Sequence, residues 1–86
     1  MNKPKNTMKV SFPSRGANEG LARMLVAAFI TEADPTVEEL CDIKTAVSEA
    51  VTNCIVHAYP DRIGEIYIAA SLSESNLVTI KVRDHG

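Results

Sequence analysis

The stretch from Thr36 to Tyr59 restricts the fold more than any other part of the chain. Leu40, Ile43, Val47, Ala50, Val51, Cys54, Ile55 and Ala58 recur in it at three- and four-residue intervals. At ~100° per residue these positions form one apolar stripe of a helix, and that stripe must face a core. Glu49 falls nearly opposite the stripe. Asn53 follows four residues later, ~40° round the same wheel, so the pair shares the far face at a spacing that brings side chains together. Thr36 with Glu39 three residues on forms a capping box, which satisfies two orphan backbone donors and fixes the start. Pro60, Asp61 and Gly64 disfavour continuation. The spacing therefore predicts one continuous helix ending near Tyr59, and leaves open whether its polar face meets water or a ligand.

A helix with one apolar stripe needs a second layer, and the flanking sequence supplies strands. Met8, Val10 and Phe12 alternate with Lys9 and Ser11, the period of a half-buried strand, until Pro13 withdraws a backbone donor. From about Asn18 to Thr31, Leu21, Met24, Leu25, Ala28 and Phe29 fall at helical spacing and predict a first helix with that face inward. Glu32 to Pro35 is a short linker. Beyond Gly64, Ile66, Ile68, Ala70 and Leu72 alternate with Tyr67, Ala69 and Ser71, and Val78, Ile80 and Val82 alternate with Thr79, Lys81 and Arg83. The polar Ser73, Glu74, Ser75 and Asn76 between them suit a hairpin, so these two strands should pair antiparallel. The order β-α-α-β-β gives an α+β fold in which both helices cover one face of a sheet.

Size and charge exclude several functions. With 86 residues the chain is at most one domain and buries only about 60 to 65% of its unfolded surface. Its 45% apolar and 23% charged residues are the balance of a globular domain. No stretch approaches the ~20 apolar residues of a membrane span. The opening MNKPKNTMKV has positive charge with no apolar region behind it, unlike a secretory signal, so a cytoplasmic location is expected. A net charge of -2 without a basic cluster argues against direct nucleic-acid binding, which draws affinity from counterions released by grouped Lys and Arg. Cys41 and Cys54, on one straight helix, would lie roughly 20 Å apart and are expected to be free thiols. Cys54 sits on the apolar stripe, where it reads as a small buried hydrophobe or as a nucleophile.

The candidate site residues have definite chemistry. The Asn53 carbonyl oxygen is a hard ligand suited to Mg²⁺, and the neighbouring Glu49 carboxylate could orient a hydroxyl for attack on a phosphoryl group. Asp84, directly after a strand, can accept a hydrogen bond from an amine, and Gly86 would let backbone approach a ligand closely. His57 either touches phosphate or complements the dipole at the helix C-terminus. Glu19 and Arg23, four apart on the first helix, form either a solvated ion pair or a partner contact. The two histidines and two cysteines show no zinc-binding spacing, and there is no Walker loop, GxGxxG fingerprint or GxSxG elbow.

The run Asp34, Pro35, Thr36 through Glu39, Leu40, then Ile43, Lys44, Thr45 and Ser48, Glu49, Ala50, Val51, Thr52, Asn53, closing with His57 and Tyr59, closely resembles the SpoIIAB-type sporulation anti-sigma factors. These are also serine kinases of the GHKL ATPase superfamily. The resemblance continues upstream over Asn18, Glu19, Ala22, Arg23, Val26, Ala27, Phe29 and Ile30, and downstream to Arg83, Asp84 and Gly86. It implies a Bergerat-type two-layer α/β sandwich in which the far face of the second helix floors a pocket for ATP and Mg²⁺. By the same resemblance Glu49 would be the general base that activates a substrate serine, Asn53 the Mg²⁺ ligand and Asp84 the acceptor of the adenine amino group. His57 would stand beside them, and Gly86 would open a glycine box. Arg23, with Glu19, matches a position that meets protein partners: a sporulation sigma factor and an anti-anti-sigma factor, bound by a homodimer. Cys54 and Ala58 depart from the Ala and Gly that relatives often carry, and both changes are small.

The residues Asp84, His85 and Gly86 directly after a strand read as the opening of a functional loop, so residues 1–86 are expected to be the N-terminal part of one such domain. The resemblance puts a second glycine box, a lid and closing strands beyond them. The runner-up reading is a GHKL-like protein-binding module whose nucleotide site is catalytically incomplete.

Overall fold

The computed structural model describes residues 3–86; the first two residues of the MNKPKNTMKV stretch lie outside the described residues. Three antiparallel strands, β1 (Pro4–Pro13), β2 (Glu65–Ser73) and β3 (Val78–Arg83), form a sheet in the order β1-β2-β3. Two helices, α1 (Ala17–Ile30) and α2 (Val37–Asn53), pack on one another and cover a single face. The α+β two-layer arrangement expected from the alternation is the one observed. Among the described residues no helix is long and apolar enough to cross a membrane.

The centre of the sheet is the centre of the core. Every second residue of β2, Ile66, Ile68, Ala70 and Leu72, is buried, because β2 is flanked on both sides and roofed by the helices. On the outer strands the inward residues Met8, Val10, Val78, Ile80 and Val82 are only half-buried. Val26 and Ile30 of α1, and Val47 and Val51 of α2, close the core from above. Fully burying an aliphatic side chain of this kind contributes about 1.5 to 3 kcal/mol.

β1 is longer than its apolar alternation predicts. Its first half is polar and exposed, yet it pairs with the end of β2 through a register shift between Pro4 and Asn6. Backbone pairing and polar contacts of Lys5 and Asn6 with Glu32 carry that half, so it leaves no hydrophobic period. The inward face of α1 also differs from the expectation. Ala22, Val26 and Ile30 are buried, whereas Leu21 is 43% and Met24 71% exposed. α1 packs chiefly against α2, and the small Ala22 permits the close approach that a larger side chain on that stripe would block.

The capping box forms as predicted: the Glu39 backbone N–H donates to Thr36 Oγ1 at 3.0 Å, and the Thr36 N–H donates to Glu39 Oε1 at 2.8 Å. The expected single helix to Tyr59, however, changes pitch. α2 stops at Asn53, and Cys54–Ala58 form a π-helical turn in which the Tyr59 N–H donates to the Cys54 carbonyl at 3.1 Å. Tyr59, preceding Pro60, has left the helical region at φ -128, ψ 60, as sterics before proline favour. The wider turn lets the buried Tyr59 ring reach β2, where its hydroxyl donates to the Glu65 carbonyl at 2.8 Å. The hairpin between β2 and β3 closes with the Ser73 N–H donating to the Leu77 carbonyl and Asn76 at φ 69, a left-handed conformation that asparagine tolerates.

Candidate functional site

The end of α2 and the end of β3 meet, and four of the residues singled out above, Asn53, His57, Asp84 and Gly86, collect there. Val82 points to the helix layer, so by strand alternation Asp84 points the same way and His85 the other. His85 accordingly lies edge-on to Tyr67, with ring centroids 5.0 Å apart, while Asp84 faces the π-helical turn. A cleft of about 500 Å³ results, lined by Ala50, Asn53, Cys54, His57, Ala58, Val82, Asp84 and Gly86. Asn53, His57, Asp84 and Gly86 are thus brought together across some thirty residues of chain. Asn53 also borders a second cleft of about 300 Å³ with Ser48, Glu49 and Thr52, which places Glu49 next door on the same exposed helix face.

Two contacts hold the two walls together, a third steadies the loop after β3, and none was visible in the sequence. The Cys54 thiol donates to Asp84 Oδ2 at 3.3 Å, and the Gly86 N–H donates to Asp84 Oδ1 at 3.1 Å. The His85 N–H donates to the Tyr59 hydroxyl at 2.7 Å, so that this hydroxyl links the start of β2 to the residues just past β3. Burial above all, then the hydrogen bond to Asp84 and its charge, push the Cys54 thiol up to about 11. A neutral, buried thiol is a donor and not a nucleophile, which decides between the two readings of Cys54. Both cysteines are free, Cys41 on the surface.

Gly86 lines the cleft where the chain passes close to the helix end. A Cβ there would collide with the backbone of Ala58, so the absence of a side chain lets the residue approach the π-helical turn closely. Glu19 and Arg23 form an ion pair on α1, with Arg23 Nη1 3.6 Å from Glu19 Oε2. The same carboxylate oxygen accepts a hydrogen bond from Ser48 Oγ at 2.9 Å, so Glu19 also ties α1 to α2 one residue before Glu49.

The cleft combines an apolar floor with polar side chains at its edge. Its floor is small and apolar, formed by Ala50, Cys54, Ala58 and Val82, and the Asp84 carboxylate stands at the edge as a hydrogen-bond acceptor. For a divalent cation the donors are sparse: among the described residues no group of three or more His, Cys, Asp or Glu could hold a metal ion. Asn53 would offer one carbonyl oxygen, which matches Mg²⁺ only where phosphate and water oxygens complete the octahedron.

Residues 12–86 match the histidine kinase-like ATPase domain, and the chain belongs to that family. It is similar to proteins named anti-sigma F factor. That of Thermoanaerobacter sp. (strain X514) is 56% identical over 81 residues, which are 94% of this chain and 56% of the relative. That of Clostridium kluyveri (strain NBRC 12016) is 51% identical over 81 residues, with the same coverage. That of Priestia megaterium is 48% identical over 83 residues, 95% of this chain and 56% of the relative. The chain therefore spans a little over half the length of the curated relatives it matches.

Proposed function

We propose that the cleft at the end of α2 binds ATP with Mg²⁺. The observation that carries this reading is the convergence of Asn53, His57, Asp84 and Gly86 on one concavity with a small apolar floor. Asp84 accepts a hydrogen bond from the adenine amino group. Asn53 would supply a side-chain oxygen to Mg²⁺, which would offset the charge of the phosphates, and His57, one turn on, would add a hydrogen-bonding group on the same side of the cleft. Glu49, in the adjoining cleft, takes the proton from a serine hydroxyl as that oxygen attacks the γ-phosphorus and ADP departs. In a protein of the relatives' length the activity is that of a cytoplasmic anti-sigma factor and protein serine kinase. It works as a homodimer that sequesters a sporulation sigma factor through the Glu19 and Arg23 surface and phosphorylates the anti-anti-sigma factor. The similarity to proteins named anti-sigma F factor supports this assignment.

Glu49→Gln tests it: nucleotide binding is retained and phosphate transfer is lost, because only the base is removed. Undiminished transfer would remove Glu49 from the mechanism. One observation favours a second reading, a binding module with an incomplete nucleotide site. Among the described residues the cleft is walled by the end of α2 with its π-helical turn and the end of β3. Asn53→Ala separates the two readings, since partner binding indifferent to ATP and to this substitution belongs to the module.

A further inference from the structure

The sheet face turned away from the helices carries a second concavity, remote in character from the cleft just described. Lys9 of β1 and Lys81 of β3 are both register partners of Ala69 on β2, so the two ammonium groups flank a methyl side chain. Two strand spacings set their backbones about 10 Å apart. One step along the strands Ser11, Tyr67 and Arg83 form the next cross-strand row, with the Arg83 guanidinium 5.9 Å from the centre of the Tyr67 ring. The notch over Ala69 has a volume of about 410 Å³. Three of the chain's nine cationic side chains line it and none of its eleven carboxylates does; Glu65 lies at the start of β2 on the same face. Among the described residues the ion pairs are Lys5 with Glu32 and Arg23 with Glu19, so Lys9, Lys81 and Arg83 are not paired.

We infer that this notch is a docking surface for an acidic segment of a partner protein, one carboxylate of which lies over Ala69 between Lys9 and Lys81. The inference goes beyond the nucleotide reading and does not depend on it. Charge complementarity selects the occupant. A second copy of this face would set lysine against lysine. A long polyanion would meet a chain of net charge -2, whose field outside the notch opposes it, and three cations release too few counterions to overcome that. A short acidic peptide needs only the local field. It gains direction from Arg83, whose planar fork takes a second carboxylate, and packing area from the Tyr67 ring. The shallow floor provided by Ala69 is what lets backbone come close.

The test is an NMR titration of the ¹⁵N-labelled chain with a synthetic peptide of alternating glutamate and alanine, at low salt. Amide shifts are expected at Lys9, Ala69 and Lys81, with affinity falling as salt is raised. The double charge reversal Lys9→Glu with Lys81→Glu should weaken binding by about tenfold, and Lys44→Glu with Arg62→Glu, an equal charge change elsewhere, by much less. Ala69→Leu fills the notch without touching a charge and should also weaken binding; its folding is checked in the same spectra. Shifts confined to another surface, equal losses in the two charge-reversed pairs, or tighter binding of a single-stranded oligonucleotide or of a second copy would overturn the inference.

Discussion

The Cys54 thiol, at the end of α2, donates a hydrogen bond to Asp84 Oδ2, just past the end of β3, across 3.3 Å. With the Tyr59 hydroxyl accepting from the His85 N–H, it fastens the two walls of the candidate nucleotide cleft at their base. Both contacts depend on the π-helical turn, which adds a residue to the helix just where Cys54 and Tyr59 must face the sheet. Such insertions recur at functional sites for this reason: they re-aim side chains that a regular helix would direct elsewhere.

The thiol itself gives the first prediction. At mildly alkaline pH a disulfide reagent should modify Cys41 rapidly and Cys54 slowly, and the Cys54 rate should climb towards pH 11. Because its folded-state value is raised from 9.0, the neutral thiol stabilises the fold fully below pH 9.0 and loses that contribution as pH rises through about 11. Unfolding curves of the chain and of Cys54→Ala should converge over that range. Equal, rapid labelling of both cysteines would contradict the buried contact.

Tyr59→Phe leaves the ring and removes the hydroxyl that donates to Glu65 and accepts from His85. Two polar groups beside the core lose their partner, which costs about 1 to 3 kcal/mol in urea unfolding. The same variant should bring faster hydrogen exchange at the His85 amide.

Gly64→Ala addresses the turn before β2. A Cβ at that position would overlap the Tyr59 ring, while Ser14 Oγ accepts from the Gly64 N–H at 2.9 Å and holds the backbone in place. Neither side yields without loss, so the substitution should lower stability by about 1 to 3 kcal/mol. A neutral effect would mean that the ring can move.

At the other end of α2, Thr36→Ala should cost about 1 kcal/mol by removing the cap. The Thr36 backbone N–H first, and its hydroxyl second, hold the Glu39 carboxyl below its usual value of 4.5. A depressed carboxyl stabilises fully above pH 4.5 and loses its contribution as pH falls through the lower folded-state value. Glu39→Gln keeps the capping geometry without the charge, so its stability should fall less than that of the parent on acidification, as thermal unfolding would report.

Much of this was legible in the sequence, for identifiable reasons. The strict alternation in Ile66 to Leu72 announces a central strand, and the capping box at Thr36 marks a helix start by local hydrogen bonding alone. Glu49 and Asn53 share an exposed face because four residues make one turn, whatever the surroundings. The inward face of α1 was not legible, since that helix carries two apolar stripes and only the presence of α2 chooses Ala22, Val26 and Ile30 over Leu21 and Met24. The π-helical turn was hidden likewise: nothing local distinguishes it from a last α-turn, and it is defined by where Tyr59 and Cys54 find partners. The pairing of Cys54 with Asp84 joins residues thirty apart, beyond the reach of any periodicity.

The most direct test of the central claim is an NMR titration of the labelled chain with ADP and Mg²⁺, repeated with GDP and with Asp84→Asn. The account predicts millimolar or tighter binding of ADP, with shifts at Asn53, His57, Asp84 and Gly86 and none at Lys9, Ala69 or Lys81. It also predicts preference for ADP over GDP and loss of that preference in the variant. No shift at those four positions, or equal response to both nucleotides in the unaltered chain, would contradict it.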